Sequence, residues 1–214
     1  VSKIIVDTIE STGTTVTVND GLASGAINAG TNAITAGSIT GLTATSLTSG
    51  TLANERLAAG TIVQVKYASK TDEQATTSTT YVDIVDLSVT ITPTSTSSKI
   101  LLIWSVVTGQ GNNTGHTYLV VARDSTDNIF IADTDGNKTS ASNVGNMPYG
   151  NSAMQILSNS FLDSPSTTSA TTYKMRYKSS NGSSIKINRS DRDTDSAAFD
   201  GRACSSFIVM EVKA

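Results

Sequence analysis

The sequence predicts an all-β chain: an extended, repetitive N-terminal segment followed by a jelly-roll β-sandwich. Three observations lead there. Short apolar runs recur between clusters of Gly, Asn, Ser, Thr and Pro, and almost no helical pattern interrupts them. Several runs alternate with period 2, as in Tyr173-Lys-Met-Arg-Tyr-Lys, where Tyr173, Met175 and Tyr177 face one way and Lys174, Arg176 and Lys178 the other. Charged residues make up only 15% of the 214 residues, against about 25% in ordinary globular chains. Solubility then rests on hydroxyl and amide groups, which suits exposed β structure.

From the N-terminus, residues 2–18 hold two strand-like pieces, KIIV and TTVTV, joined by Glu10-Ser-Thr-Gly. They read as a hairpin or two consecutive strands, too small to be stable alone. Residues 1–20 are therefore expected to dock on another copy of the chain or on a larger assembly.

Residues 21–60 differ in kind. Between Gly21 and Leu57 there is no aromatic residue, and Glu55 and Arg56 are the only charges. Leu42, Leu47, Leu52 and Leu57 are spaced by five, as are Ile34 and Ile39. That step matches neither the helical 3.6 nor the strand period of 2. A disordered linker would have such a Gly, Ser and Thr content. The regular aliphatic spacing points instead to a slender shaft in which three parallel chains stack their leucines in layers, which implies a homotrimer.

From Thr61 to Ala214 the texture is that of a globular domain. Strands are expected at 62–70, 80–91, 99–107, 117–123, 128–132, 153–162, 172–179, 184–189 and 204–212. The stretch 99–107, KILLIWSVV, has seven apolar residues in nine and the only tryptophan, Trp104. It reads as a strand buried on both faces. Asn181-Gly182 is expected to turn a hairpin between Tyr177 and Ile185, and FIVMEV, 207–212, is apolar enough to be central. Nine strands fit a jelly roll better than a small immunoglobulin-like domain.

Composition also excludes functions. The net charge is −3, and no Lys/Arg cluster offers a surface to nucleic acid or an anionic membrane. No apolar run reaches about eighteen residues, and no charged-then-apolar leader opens the chain, so neither a membrane insertion nor an export signal is indicated. The single cysteine, Cys204, leaves no disulfide partner and no Cys-based zinc site. It lies in an apolar run and is expected to be a small buried hydrophobe.

No catalytic set is apparent. His116 is the only histidine, sits in a Gly/Asn loop and has no GxSxG near any serine. Asp83 with Asp86, or Asp133 with Asp135, would serve as acid and base only across a cleft that spacing does not define. Asp191-Arg-Asp-Thr-Asp195 begins like a calcium loop, but its sixth position is Ser196 and its twelfth Arg202, against EF-hand geometry. It reads as an exposed loop offset by Arg189, Arg192 and Arg202. No phosphate-cradling glycine loop appears. The chain is expected to be no enzyme, with no cofactor and no metal. Recognition is expected on loops, with His116, Tyr149 and Asn151 as receptor-contacting residues; Tyr offers a flat apolar face and Asn a paired donor and acceptor suited to sugars. Asn-X-Ser/Thr triplets at Asn112, Asn137, Asn181 and Asn188 are expected by chance in such a composition.

Five segments carry a resemblance: SKIIVDTI at 2–9, GTLANERL at 50–57, STTYVDI at 78–84, ITPTSTSSKILLI at 91–103 and the closing SSFIVMEV. With them the chain resembles the fibre and appendage proteins of tailed bacteriophages, particularly of marine and cyanobacterial viruses. The resemblance implies a homotrimeric virion protein. Its N-terminal part would dock on other virion proteins, and its C-terminal jelly-roll head, similar to those of tumour necrosis factor-like trimers, would contact a host surface glycan or protein. A tail fibre, a head fibre, a capsid or tail decoration without receptor binding, and a carbohydrate-binding module all remain open, and the family offers no catalytic residues to carry over.

Overall fold

The computed structural model describes residues 54–111, 115–125, 128–146 and 150–214. The docking segment expected at 1–20 and the repeat up to residue 53 lie outside the described residues. Among those described are ten strands: β1 (Ile62–Lys70), β2 (Gln74–Thr76), β3 (Val82–Ile91), β4 (Lys99–Gln110), β5 (Thr117–Arg123), β6 (Asn143–Gly145), β7 (Met154–Asp163), β8 (Thr171–Ser179), β9 (Ile185–Ile187) and β10 (Ser205–Val212). The all-β class read from the sequence is what the structure has.

The strands form two antiparallel sheets. In the first, β10 lies between β1 and β4, and β7 runs along the other edge of β4. Beyond Ser105, where β10 stops pairing, the freed edge of β4 takes up β9 and then β2. The second sheet has the order β3-β8-β5-β6.

Period-2 alternation fills the space between the sheets. Ile100, Leu102, Trp104 and Val106 of β4 are at most 1% exposed and meet Phe207 and Val209 of β10, Tyr173, Met175 and Tyr177 of β8, and Leu119 and Val121 of β5. The Trp104 Nε1–H donates to Asn143 Oδ1 at 2.8 Å, so the largest core side chain leaves no orphaned donor. The apolar positions of β3 switch parity, from Val82 and Ile84 to Leu87, Val89 and Ile91. The extra residue is absorbed between Asp83 and Ser88, where the register with β8 shifts and Asp86 takes φ of 68°. A bulge of this kind turns both halves of the strand toward one core.

Polar ties close the ends. Asp163 accepts from Arg123 at 2.8 Å and from the Tyr173 hydroxyl at 2.7 Å. Glu211, fully buried at the end of β10, accepts from the Ser98 and Thr94 hydroxyls at 2.6 Å, the Thr94 N–H at 2.7 Å and Gln64 Nε2 at 2.6 Å. Burial pushes its carboxyl up, and those hydrogen bonds outweigh it, leaving it below the usual glutamate value. At Gly109 a Cβ would stand 2.1 Å from the Arg189 carbonyl oxygen, so only glycine fits that crossing.

Two poles result. The starts of β1, β4 and β8 and the ends of β3, β5, β7 and β10 gather at one. There the 3-10 turn Asn54–Arg56 leads into the head, Gly60 N–H donates to Lys213 O at 2.7 Å, and Lys213 N–H donates to Thr61 O at 2.9 Å. The ends of β4 and β8 and the starts of β5 and β7 gather at the other pole.

Several expectations need correction. Residues 128–132 form no strand; Ile129 and Phe130 are apolar because they pack on the core, with Phe130 stacked on Phe161 at 4.6 Å and edge-on to Trp104 at 6.3 Å. Asn181-Gly182 makes no hairpin, since β8 and β9 belong to different sheets. Gly182 does take positive φ, 86°. Cys204 is exposed: Ser205 faces inward, and alternation turns its neighbour out. The outer side of β4 is covered only in part, at Leu101 and Ile103. Finally, β2 and β6 were not expected.

Candidate functional site

Each sheet turns one face to the core and one outward, and the two outward faces differ in chemistry. On the first sheet the registers place Val65, Met210, Leu101 and Leu162 in one row across β1, β10, β4 and β7, and Tyr67, Ile208, Ile103 and Ser160 in the next. Seven of these eight side chains are apolar or aromatic. Val65, Tyr67 and Leu162 are 56%, 61% and 51% exposed, and Leu101, Ile103, Ile208 and Met210 are part-buried between them. A third row is all serine: Ser69, Ser206, Ser105 and Ser158. No charge stands in these three rows. The three rows make one contiguous uncharged outward face.

On the second sheet the outward row nearest the far pole holds Lys178, Tyr118 and Val144, paired across β8, β5 and β6. The Lys178 ammonium lies 4.8 Å from the centre of the Tyr81 ring and 5.5 Å from that of Tyr118. His116 stacks on Tyr118, centroids 6.2 Å apart and planes 25° apart. The backbone of His116 is clamped at both ends: its N–H donates to Ser180 Oγ at 2.9 Å and its carbonyl accepts from Ser180 N–H at 3.0 Å. Further along β8, Asp83 neutralises Lys174 at 3.2 Å and Arg176 at 2.8 Å.

Of the three receptor-contact residues read from the sequence, His116 is exposed beside this group and Asn151 is exposed in the turn before β7. The carbonyl of Asn151 accepts from Arg192 N–H at 2.9 Å, and no hydrogen bond or ring contact joins it to His116. Tyr149 lies outside the described residues. Sequence reasoning missed Tyr81, Tyr118 and Lys178, which only the sheet register brings together. It also missed the apolar outward rows, although their signal was present: 99–107 and 207–212 are apolar at both parities, and in 62–70 Val63, Val65 and Tyr67 share one parity.

The acidic pairs have other partners. Asp86 lies 3.9 Å from the buried Lys70 ammonium, and Asp135 pairs with Lys138. In the loop after β9, Arg192 holds Asp200 at 2.9 Å and, with Thr194 and Ser190, brings its carboxyl down to about 2. Arg202 and Arg189 flank Asp193 at 2.9 and 3.3 Å. That is the charge-balanced loop expected. Among the described residues no group of three His, Cys, Asp or Glu is placed to hold a metal, and no helix is long and apolar enough to cross a membrane. Compared with known proteins, the chain matches no family model and no curated protein.

Proposed function

We propose that this chain is a bacteriophage appendage protein, a homotrimer whose jelly-roll head contacts the host surface. One observation carries the reading: the two uncharged apolar rows across β1, β10, β4 and β7. Water-facing rows of Val, Tyr, Ile, Leu and Met are stabilised by burial at roughly 25 cal/mol per Å². An uncharged face meets a second copy of itself or of the sandwich edge without like-charge repulsion. Strand order supports the jelly roll. With the short β2 and β9 set aside, the sheets run β1-β10-β4-β7 and β3-β8-β5-β6, which is the order nested Greek keys produce. The five-residue aliphatic spacing of the N-terminal segment supports three copies rather than two.

Absolute mass by light scattering tests the reading. Three times 22.2 kDa for the full chain is expected, and a monodisperse monomer would overturn it. Antibody against 61–214 that blocks adsorption to the host separates attachment from capsid or tail decoration; undisturbed adsorption favours decoration.

A further inference from the structure

We infer that Lys178, with Tyr81, Tyr118 and His116 around it, binds the anionic group of an acidic saccharide. The inference rests on the attachment reading and names its ligand class. The starting point is an unbalanced charge. Of the other part-buried basic residues, Arg123, Lys174, Arg176, Lys186, Arg189 and Arg192 each stand within 4.0 Å of a carboxylate, Lys99 donates to Ser164 Oγ at 2.8 Å, and Lys213 donates to the Glu55 carbonyl at 3.1 Å. Lys178 is also part-buried, yet it has neither ion pair nor hydrogen bond to any described residue. Only the two tyrosine faces hold it, at 4.8 and 5.5 Å. A cation placed over ring faces is partly desolvated while its N–H donors stay directed outward. That ammonium needs an acceptor.

The surroundings select the partner. Beside Lys178 stands His116, exposed, stacked on Tyr118 and fixed by Ser180. Ser180 and Asn181 close on Gly115, whose φ of 115° lets the chain pass that tightly: a Cβ there would lie 2.6 Å from Ser180 Oγ and 2.7 Å from Asn181 Oδ1. The rim is therefore hydroxyl, amide and imidazole, around a single cation. A nucleic-acid backbone asks for several basic residues in a track, and this face supplies one unpaired. A saccharide with one carboxylate or sulfate per few hydroxyl-rich units matches the count. Burying the apolar rows of the first sheet leaves this site free, because the outward faces of a two-sheet sandwich point in opposite directions.

The test uses the full chain in affinity electrophoresis through gels containing alginate (carboxylate), dextran sulfate (sulfate) or dextran (neutral). Retardation by alginate or by dextran sulfate, but not by dextran, is the expected result, and the two acidic gels tell carboxylate from sulfate. Lys178→Gln keeps the stem between the tyrosines and is expected to weaken retardation at least tenfold. Lys178→Arg is expected to retain it, and Lys66→Gln, on β1 of the other sheet, to leave it unchanged. Retardation by dextran equal to that in the acidic gels, unaltered retardation of Lys178→Gln, or none in any gel overturns the inference. A trimer whose head antibody blocks adsorption, but which no acidic gel retards, overturns this inference alone. A monomer retarded through Lys178 overturns the appendage reading and leaves the saccharide site standing.

Discussion

The two outward faces of the sandwich are built on the same pleat and differ in chemistry. On β10 and β4 both parities are apolar, so Ile208 and Ile103 face outward while Phe207, Leu102 and Trp104 face the core. On β8 the parities separate: Tyr173, Met175 and Tyr177 are fully buried, and Lys174, Arg176 and Lys178 stand opposite. Clean alternation is what a sheet facing water requires. It fails on β4 and β10, where Leu101, Ile103, Ile208 and Met210 face outward behind a core face that is also apolar; β1 adds Val65 and Tyr67 to that outer face and holds Gln64, Lys66 and Lys70 on its other parity.

The sharpest way to break the contrast is Ile208→Glu, which puts a carboxylate at the middle of the apolar rows. In a covered face an unpaired charge costs several kcal/mol, so the mass is expected to fall to that of one chain. Thermal stability of that chain should barely move, because Ile208 is not a core residue. An unchanged mass would sink the covered-face argument.

Glu211→Gln comes next and separates core from face on the same strand. Glu211 has its pKa below the usual value in the folded head. Its contribution is therefore fully present above the ordinary glutamate value and is lost as pH falls through the lowered one. The variant is expected to lose about 1–3 kcal/mol at neutral pH, with a flatter acid limb in denaturant titrations, while its mass stays that of the parent. Parallel acid limbs would remove Glu211 from the account.

Smaller again is Tyr67→Ser, at the rim of the apolar rows. Roughly 1–2 kcal/mol of association per copy should be lost, visible as dissociation on dilution in sedimentation. Least of all is Asp83→Asn, which removes the carboxylate shared by Lys174 and Arg176 on the polar face. Exposed pairs are worth about 0–1 kcal/mol, so the melting temperature should shift little and the mass not at all. A change in mass would mean that the charged face, too, is an interface.

What the sequence made legible follows from length and periodicity. Strands β1 and β5 run 62–70 and 117–123 as read, because each is long, apolar and bracketed by turn residues. Gln74–Thr76 and Asn143–Gly145 are three residues each, too short to show a period, and exist because a neighbouring strand offers an edge. Ile129 and Phe130 look like strand residues since burial selects the same side chains whether the backbone pairs or merely plugs an opening. The parity switch in VDIVDLSVTI is readable once the bulge is known. The candidate saccharide site was half legible: His116 stood out as the lone histidine, but Tyr81, Lys178 and Tyr118 are distant in sequence, and only pairing across β8 and β5 makes them neighbours.

The clasp between Gly60, Thr61 and Lys213 has a mechanical consequence. Both chain ends of the head leave from one pole, and Lys178 and His116 sit toward the other. A load applied between residue 54 and a ligand held at Lys178 would pull β1 along its own axis, straining its hydrogen bonds to β10 together. The same head pulled by residues 54 and 214 would open those bonds one after another from the Ile62–Val212 end. Force spectroscopy should thus find a high rupture force in the first geometry and a low one in the second.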